Sequence, residues 1–95
     1  MTIEELRGGL EKVISSLTNS GFENIEHETI ENLHKYAAAA GALELKEGKK
    51  LIKNLSETIK AIQEGKSTAD SGNLRLTALD FYLKKYPVDG TVEDL

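Results

Sequence analysis

The spacing of apolar residues in the second half of the chain places the strongest constraint on its fold. From residue 45 to residue 62, six apolar or small residues recur at intervals of three, four, three, four and three. These positions are Leu45, Gly48, Ile52, Leu55, Ile59 and Ile62. This heptad repeat predicts an α-helix with one apolar seam along its length, and Gly65 should cap its end. In a chain of 95 residues, we expect the seam to pack against sister helices rather than to form a separate coiled coil.

The N-terminal segment also predicts a helix. Thr2 and Glu5 have the spacing of a capping box, in which each side chain binds the other residue's backbone N–H group. Apolar residues over 3–17 recur at helical intervals and share one face. We expect this helix to end at Gly21 in the left-handed conformation, with Phe22 folding back in a Schellman motif.

A second helix is predicted after it, with Asn24 or Thr29 as the N-cap and an apolar face over 30–40. The alanine run within that face has little side-chain bulk, so another helix can approach its backbone closely. Gly41 either ends this helix or only interrupts its pattern.

Small polar residues over 66–73 predict a mobile loop, and apolar residues over 74–86 predict a fourth helix that ends at Pro87. Its apolar face is broader than a surface helix needs, so the helix is either deeply buried or partly an interface. The alternation over 74–76 allows a short strand instead. The acidic segment 88–95 should be a loose tail.

These segments predict an all-α fold with a single helical domain over 1–87. Four helices joined by short connections favour an antiparallel up-and-down four-helix bundle, with the heptad seam extending the third helix. The chain contains no cysteine, which excludes disulfides, thiolate zinc sites and a cysteine nucleophile. The acidic N-terminus does not resemble a secretory signal and no apolar run could span a membrane, so we expect a cytoplasmic protein.

Charge is distributed unevenly along the chain. The net charge of −4 argues against nucleic-acid binding over the whole surface, but residues 45–66 carry six lysines and three glutamates. Five of these lysines form a stripe on one side of the third helix: Lys46, Lys49, Lys50, Lys53 and Lys60. The stripe is either a solvated face, a site for phosphates or an acidic partner, or a contact with the acidic first half of this or a second copy. The stripe lacks interleaved aromatic residues, which argues against base stacking.

One polar cluster could carry metal chemistry. His27, Glu31 and His34 lie at i, i+4 and i+7 on the second helix, where two imidazoles and a carboxylate could converge on a metal ion. The apolar face of that helix points elsewhere, so the alternative is three polar residues on the solvent side.

His34 and Lys35 suggest a second comparison, with histidine phosphotransfer domains, which are also small four-helix bundles with an exposed histidine. Those domains place lysine and glycine three and four residues after the histidine. Here the two places hold Ala37 and Ala38, so the match fails. A regulatory phosphotransfer bundle using His34 is kept as an alternative.

No pattern of glycines, serines or carboxylates predicts nucleotide binding or hydrolysis, so we expect neither a cofactor nor an enzyme. The favoured hypothesis is a non-enzymatic interaction module: an adaptor, assembly or chaperone-like protein that binds a protein partner or a second copy of itself. No small-molecule substrate is indicated. The predicted partner-binding residues are Leu74, Ala78, Phe81 and Tyr82 with Lys46, Lys49, Lys50 and Lys53.

Overall fold

The computed structural model describes residues 1–22 and 25–85, and this part of the chain contains four α-helices and no strand. The helices are α1 (Ile3–Ser20), α2 (His27–Ala42), α3 (Lys46–Gln63) and α4 (Ala69–Lys85). The predicted all-α four-helix fold is confirmed, and the alternative of a strand over 74–76 is wrong because α4 contains these residues. The predictions for Asn24, Tyr86, Pro87 and the tail 88–95 fall outside the described residues.

Successive helices run antiparallel, as contacts near their ends show. Gly41, near the end of α2, lies against the side chain of Lys49, near the start of α3. Gly48, also near the start of α3, lies against the ring of Tyr82, near the end of α4. Because α1 packs against both α2 and α4, the four helices close into an up-and-down bundle.

The core of the bundle is organised around α3, which packs against both α2 and α4. Ile52, Leu55 and Ile59 of the seam are completely buried. Leu45 and Ile62 at its two ends are half-buried. The predicted seam is therefore the packing face of α3 within the bundle. Among the described residues, no helix has both the length and the apolarity that crossing a bilayer requires.

The capping box at the start of α1 is present as predicted. The Thr2 backbone N–H donates to Glu5 Oε1 at 2.9 Å, and the Glu5 N–H donates to Thr2 Oγ1 at 3.1 Å. The hydrogen bond from the Thr2 backbone favours the ionised carboxylate and lowers the pKa of Glu5. As predicted, α1 ends at Gly21, which has a positive φ of 77°, a conformation that favours glycine, and Phe22 is buried. The ψ of Gly21 is −169°, outside the left-handed helical region, so the predicted Schellman geometry is wrong at this end.

Schellman motifs instead end α2 and α3. After α2, Glu44 has a φ of 63°, and the next N–H reaches back to Ala40 O at 2.8 Å. After α3, Gly65 has a φ of 75°, and the next N–H reaches back to Ala61 O at 2.8 Å. The cap predicted at Gly65 is confirmed. At Glu44 the same turn is made by a residue with a Cβ, which is strained in this region of backbone conformation.

Replacing Glu44 by glycine should therefore stabilise the protein. We expect Glu44→Gly to raise the free energy of unfolding by about 1 kcal/mol, because the left-handed conformation costs glycine little. Gly65→Ala should lower it by about the same amount. Urea denaturation measures both. Glu44→Ala is the control for loss of the side chain, and a glycine variant no more stable than this alanine variant would contradict the explanation.

The start of α2 differs from the prediction. The helix begins at His27, and Glu26 occupies the N-cap position without a side-chain capping hydrogen bond. Thr29 lies in the first turn and not at the cap, so that prediction is wrong. The helix continues through Gly41 to Ala42, so this glycine does not end it.

The predicted loop over 66–73 is too long, because α4 already begins at Ala69. Thr68 Oγ1 accepts a hydrogen bond from the Ser71 backbone N–H at 3.4 Å, which is the bond expected of an N-cap. Gly72 in the first turns of α4 is buried. A Cβ at Gly72 would come within 2.8 Å of Phe22 and 2.9 Å of Ile62. The lack of a side chain at Gly72 therefore permits close packing at this point.

A similar contact joins α1 to α2. The Tyr36 ring lies so close to Gly9 that a Cβ on this glycine would overlap it, whereas nothing lies within 4 Å of the corresponding position at Gly8. Both glycines weaken the helix, but only Gly9 makes room for a neighbour.

Alanine at these two adjacent positions should therefore have opposite effects. We expect Gly8→Ala to raise the free energy of unfolding by about 0.5–1 kcal/mol through helix propensity. Gly9→Ala should lower it by about 1–3 kcal/mol, because Tyr36 must move. Thermal or urea denaturation of the two variants checks this. Equal stabilisation by both substitutions would show that the Tyr36 contact does not constrain the packing.

Candidate functional site

α4 carries two apolar stripes on opposite sides. The inner stripe faces the core and consists of Gly72, Leu76, Leu79 and Leu83, all buried. The outer stripe consists of Leu74, Ala78 and Phe81, all exposed. Successive residues of the inner stripe are four, three and four apart, and those of the outer stripe are four and three apart, which is the spacing of a helix-packing face. α4 therefore presents to solvent a second face built like the one it buries.

The outer stripe contains two of the three exposed large apolar residues in the described part of the chain. Leu74 is 66% exposed and Phe81 is 65% exposed. Single exposed apolar residues are ordinary on protein surfaces, but two on one helix face beside other apolar groups are a patch. The broad apolar face predicted for the fourth helix thus consists of a buried stripe in the core and a second stripe exposed to solvent.

The outer stripe forms one wall of a groove between α3 and α4, which we call the outer groove. Its volume is about 620 Å³. Its lining residues are Glu47 and Leu51 of α3 and Leu74, Thr77, Ala78, Phe81, Tyr82 and Lys85 of α4. The structure therefore brings the four predicted apolar residues of α4 together at one surface. The sequence analysis did not predict that Leu51 lines this surface. The available signal was an apolar residue next to Ile52 of the seam but outside the heptad pattern.

Tyr82 forms the wall between the outer groove and the interior. Its ring crosses α3 at Gly48, where a Cβ would come within 3.1 Å of ring and hydroxyl atoms. The same side chain lines an apolar interior cavity of about 20 Å³, which has no room for a ligand. The glycine in the heptad seam thus lets the Tyr82 ring lie close to the α3 backbone, where it closes the groove on its inner side.

Lys85 lies at the end of the outer groove. Its Nζ atom lies 5.8 Å from the centroid of the Phe81 ring, within the range of a cation–π contact. Since α3 and α4 are antiparallel, Glu47 near the start of α3 lies at this same end. Both charged residues of the groove therefore lie at one end, and the rest of its lining is mainly apolar.

Four of the predicted lysines share a second, shallower depression on the solvent side of α3, which we call the lysine patch. They are Lys46, Lys49, Lys50 and Lys53, with Asn54 and Glu57 beside them. Within the described residues, none of the four has an acidic partner within 4 Å. By contrast, Arg7, Lys66 and Lys84 each form an ion pair, at 3.3, 3.6 and 3.2 Å respectively. The four lysines outnumber Glu57, so a net positive charge remains on this side of α3.

The predicted metal-binding trio lies on the outer surface of α2. His27 Nε2 is 3.4 Å from Glu31 Oε2, with the two side chains 83% and 65% exposed. His34 is exposed as well. Within residues 1–22 and 25–85, no group of three or more histidine or carboxylate side chains is arranged to hold a metal ion. The trio is thus one histidine–carboxylate pair and a separate histidine, and phosphotransfer at His34 stays a prediction.

No protein-family model, curated protein or solved structure matches this chain.

Proposed function

We propose that this protein is a non-enzymatic interaction module that binds a partner protein through its outer groove. The observation that carries the proposal is the exposure of Leu74 and Phe81 on a helix whose opposite face already fills the core. Neither residue contributes to the buried core of the bundle. A surface that is dispensable for the core but apolar is typical of a docking site.

The energetics of burial favour the same conclusion. Removing apolar surface from water contributes about 25 cal/mol for each Å² buried, so covering two large side chains stabilises a complex appreciably. Aromatic residues near the centre of an interface commonly contribute most of its binding energy. Phe81 has this position, because Leu74 and Ala78 precede it along α4 and Lys85 follows it. We therefore assign Phe81 as the main anchor and Leu74 as the second.

An adaptor, assembly or chaperone-like role follows from such a surface, and we place it in the cytoplasm because the chain has no cysteine. Both histidines lie on the far surface of α2 rather than in the groove. The proposal accordingly involves binding and no catalytic step.

A photo-crosslinking amino acid at residue 81 tests the proposal in native extract. We expect p-benzoylphenylalanine in place of Phe81 to form a discrete covalent adduct with a partner protein. The additional substitution Leu74→Gln should abolish the adduct, because it removes the second anchor. It should leave the melting temperature nearly unchanged, since exposed residues contribute little to stability.

The matched control places the same crosslinker at Lys12, an exposed residue of α1. An adduct pattern shared by positions 81 and 12, or one insensitive to Leu74→Gln, would contradict docking in the outer groove. Adducts consisting only of two copies of this chain would assign the groove to self-association instead.

A further inference from the structure

The exposed face of α4 has a spacing that reads the same in both directions along the helix. The outer stripe and Lys85, at the end of the outer groove, are spaced four, three and four residues apart: Leu74, Ala78, Phe81 and Lys85. An antiparallel copy of α4, centred between Ala78 and Phe81, therefore meets this face in register. Two chains paired in this way are related by a two-fold axis, so every contact between them occurs twice.

The side chains that this register brings together are complementary in size. Phe81 of each copy lies opposite Ala78 of the other, so an aromatic ring meets a methyl group at both places. Facing helices interdigitate when large and small residues alternate across the contact. Leu74 lies opposite Lys85 of the second copy, whose aliphatic stem can cover apolar surface while its ammonium group stays in water. The pairing therefore covers both exposed anchors of the outer stripe.

The charges beside the outer groove match the same pairing. A two-fold axis between antiparallel helices packed face to face keeps the α3 sides of both copies on one side of the dimer. Arg75 lies on the α3 side of α4, because it precedes Tyr82 by seven residues, or about two turns, and Tyr82 packs against Gly48 of α3. Glu47 is the neighbour of Gly48 and so lies near the level of Tyr82. The register places this level about 3 Å along the axis from Arg75 of the second copy.

Glu47 of each copy therefore faces Arg75 of the other. Both residues are exposed, and within the described part of the chain neither belongs to an ion pair of 4 Å or less. Two such pairs across the interface would fix its register and favour association. The lysine patch does not oppose the pairing, because three of its lysines lie about 100–160° around α3 from Leu51 of the groove wall.

We infer that the outer groove docks the outer groove of a second copy, so that the free protein is a two-fold symmetric dimer. This inference rests on the proposed docking function and names an occupant of the same surface. Phe81 and Ala78 form the centre of the interface, and Glu47 and Arg75 form its charged edge. Any other protein that binds the groove has to displace the second copy.

Sedimentation equilibrium of the purified chain tests the inference. The contact is limited to about three turns of α4 and the edge of α3, so we expect a weak dimer and a measurement from about 5 µM to about 1 mM. The average mass should rise from that of one chain toward that of two. Phe81→Gln should keep the protein monomeric throughout this range, and circular dichroism should show that the variant keeps its helices, because Phe81 is exposed.

Charge variants test the two-fold register. At about 50 mM salt, Glu47→Arg and Arg75→Glu should each weaken self-association at least about tenfold, because each places like charges together twice. An equimolar mixture of the two variants should recover association. In the mixed dimer one pair is the natural one, and the other is the same pair with its charges exchanged. Lys12→Glu is the matched control, since it makes the same charge change at an exposed residue of α1 and should have no effect.

The outcomes separate failure of the inference from failure of the docking function. A monomer at every concentration would overturn the inference, while a partner other than this chain captured at residue 81 in extract would still support docking. A dimer that tolerates Phe81→Gln would place the contact elsewhere and also overturn it. Single charge variants that associate normally, or a mixture that does not recover, would refute the two-fold pairing. The docking function itself fails if crosslinkers at residues 81 and 12 give the same adducts.

Discussion

Burial of the α3 seam between α2 and α4 is the interaction on which the rest of the structure depends. Ile52, Leu55 and Ile59 are completely withdrawn from water. All three side chains belong to the core of the bundle. Truncating one buried aliphatic side chain to alanine typically lowers the free energy of unfolding by about 2–5 kcal/mol. That loss is a large fraction of the total stability of a small domain, about 5–15 kcal/mol. α1 joins this assembly by packing against α2 and α4.

The central place of α3 explains why α4 has an exposed apolar face. The inner stripe of α4 faces the core that α3 shares, and Tyr82 closes the space between these helices by packing across Gly48. The outer stripe then has no helix of this chain left to cover it within the described residues. Leu51 extends the same surface onto α3. The proposed docking site is thus a consequence of a fourth helix with two apolar faces in a bundle that uses only one.

Local patterns predicted much of this fold, because apolar spacing and capping chemistry depend on neighbours in sequence. The heptad seam, the capping box at Thr2 and the end of α3 at Gly65 are of this kind. The start of α2 was not predictable in this way, since Glu26 provides no side-chain cap. The positive φ of Glu44 was also not predictable from local sequence, because a residue with a Cβ disfavours that conformation.

The candidate site was predictable as a set of residues but not as a surface. Spacing separated Leu74 and Phe81 from Leu76, which is buried, but it left open whether the broad apolar face of the fourth helix is deeply buried or partly an interface. The answer depends on which side of α4 meets α3, and therefore on contacts between residues distant in sequence. The contacts of Gly9 with Tyr36 and of Gly48 with Tyr82 depend on the same pairing of helices.

Native-state hydrogen exchange tests the central place of α3 most directly, because it measures the free energy of opening at each amide. The account predicts that the amides of Ile52, Leu55 and Ile59 exchange only through global unfolding. The amides of α1 should open at a lower free energy, since α1 packs less extensively against α2 and α4 than α3 does. Exchange of the α3 amides at a lower free energy than those of α1 would contradict the account.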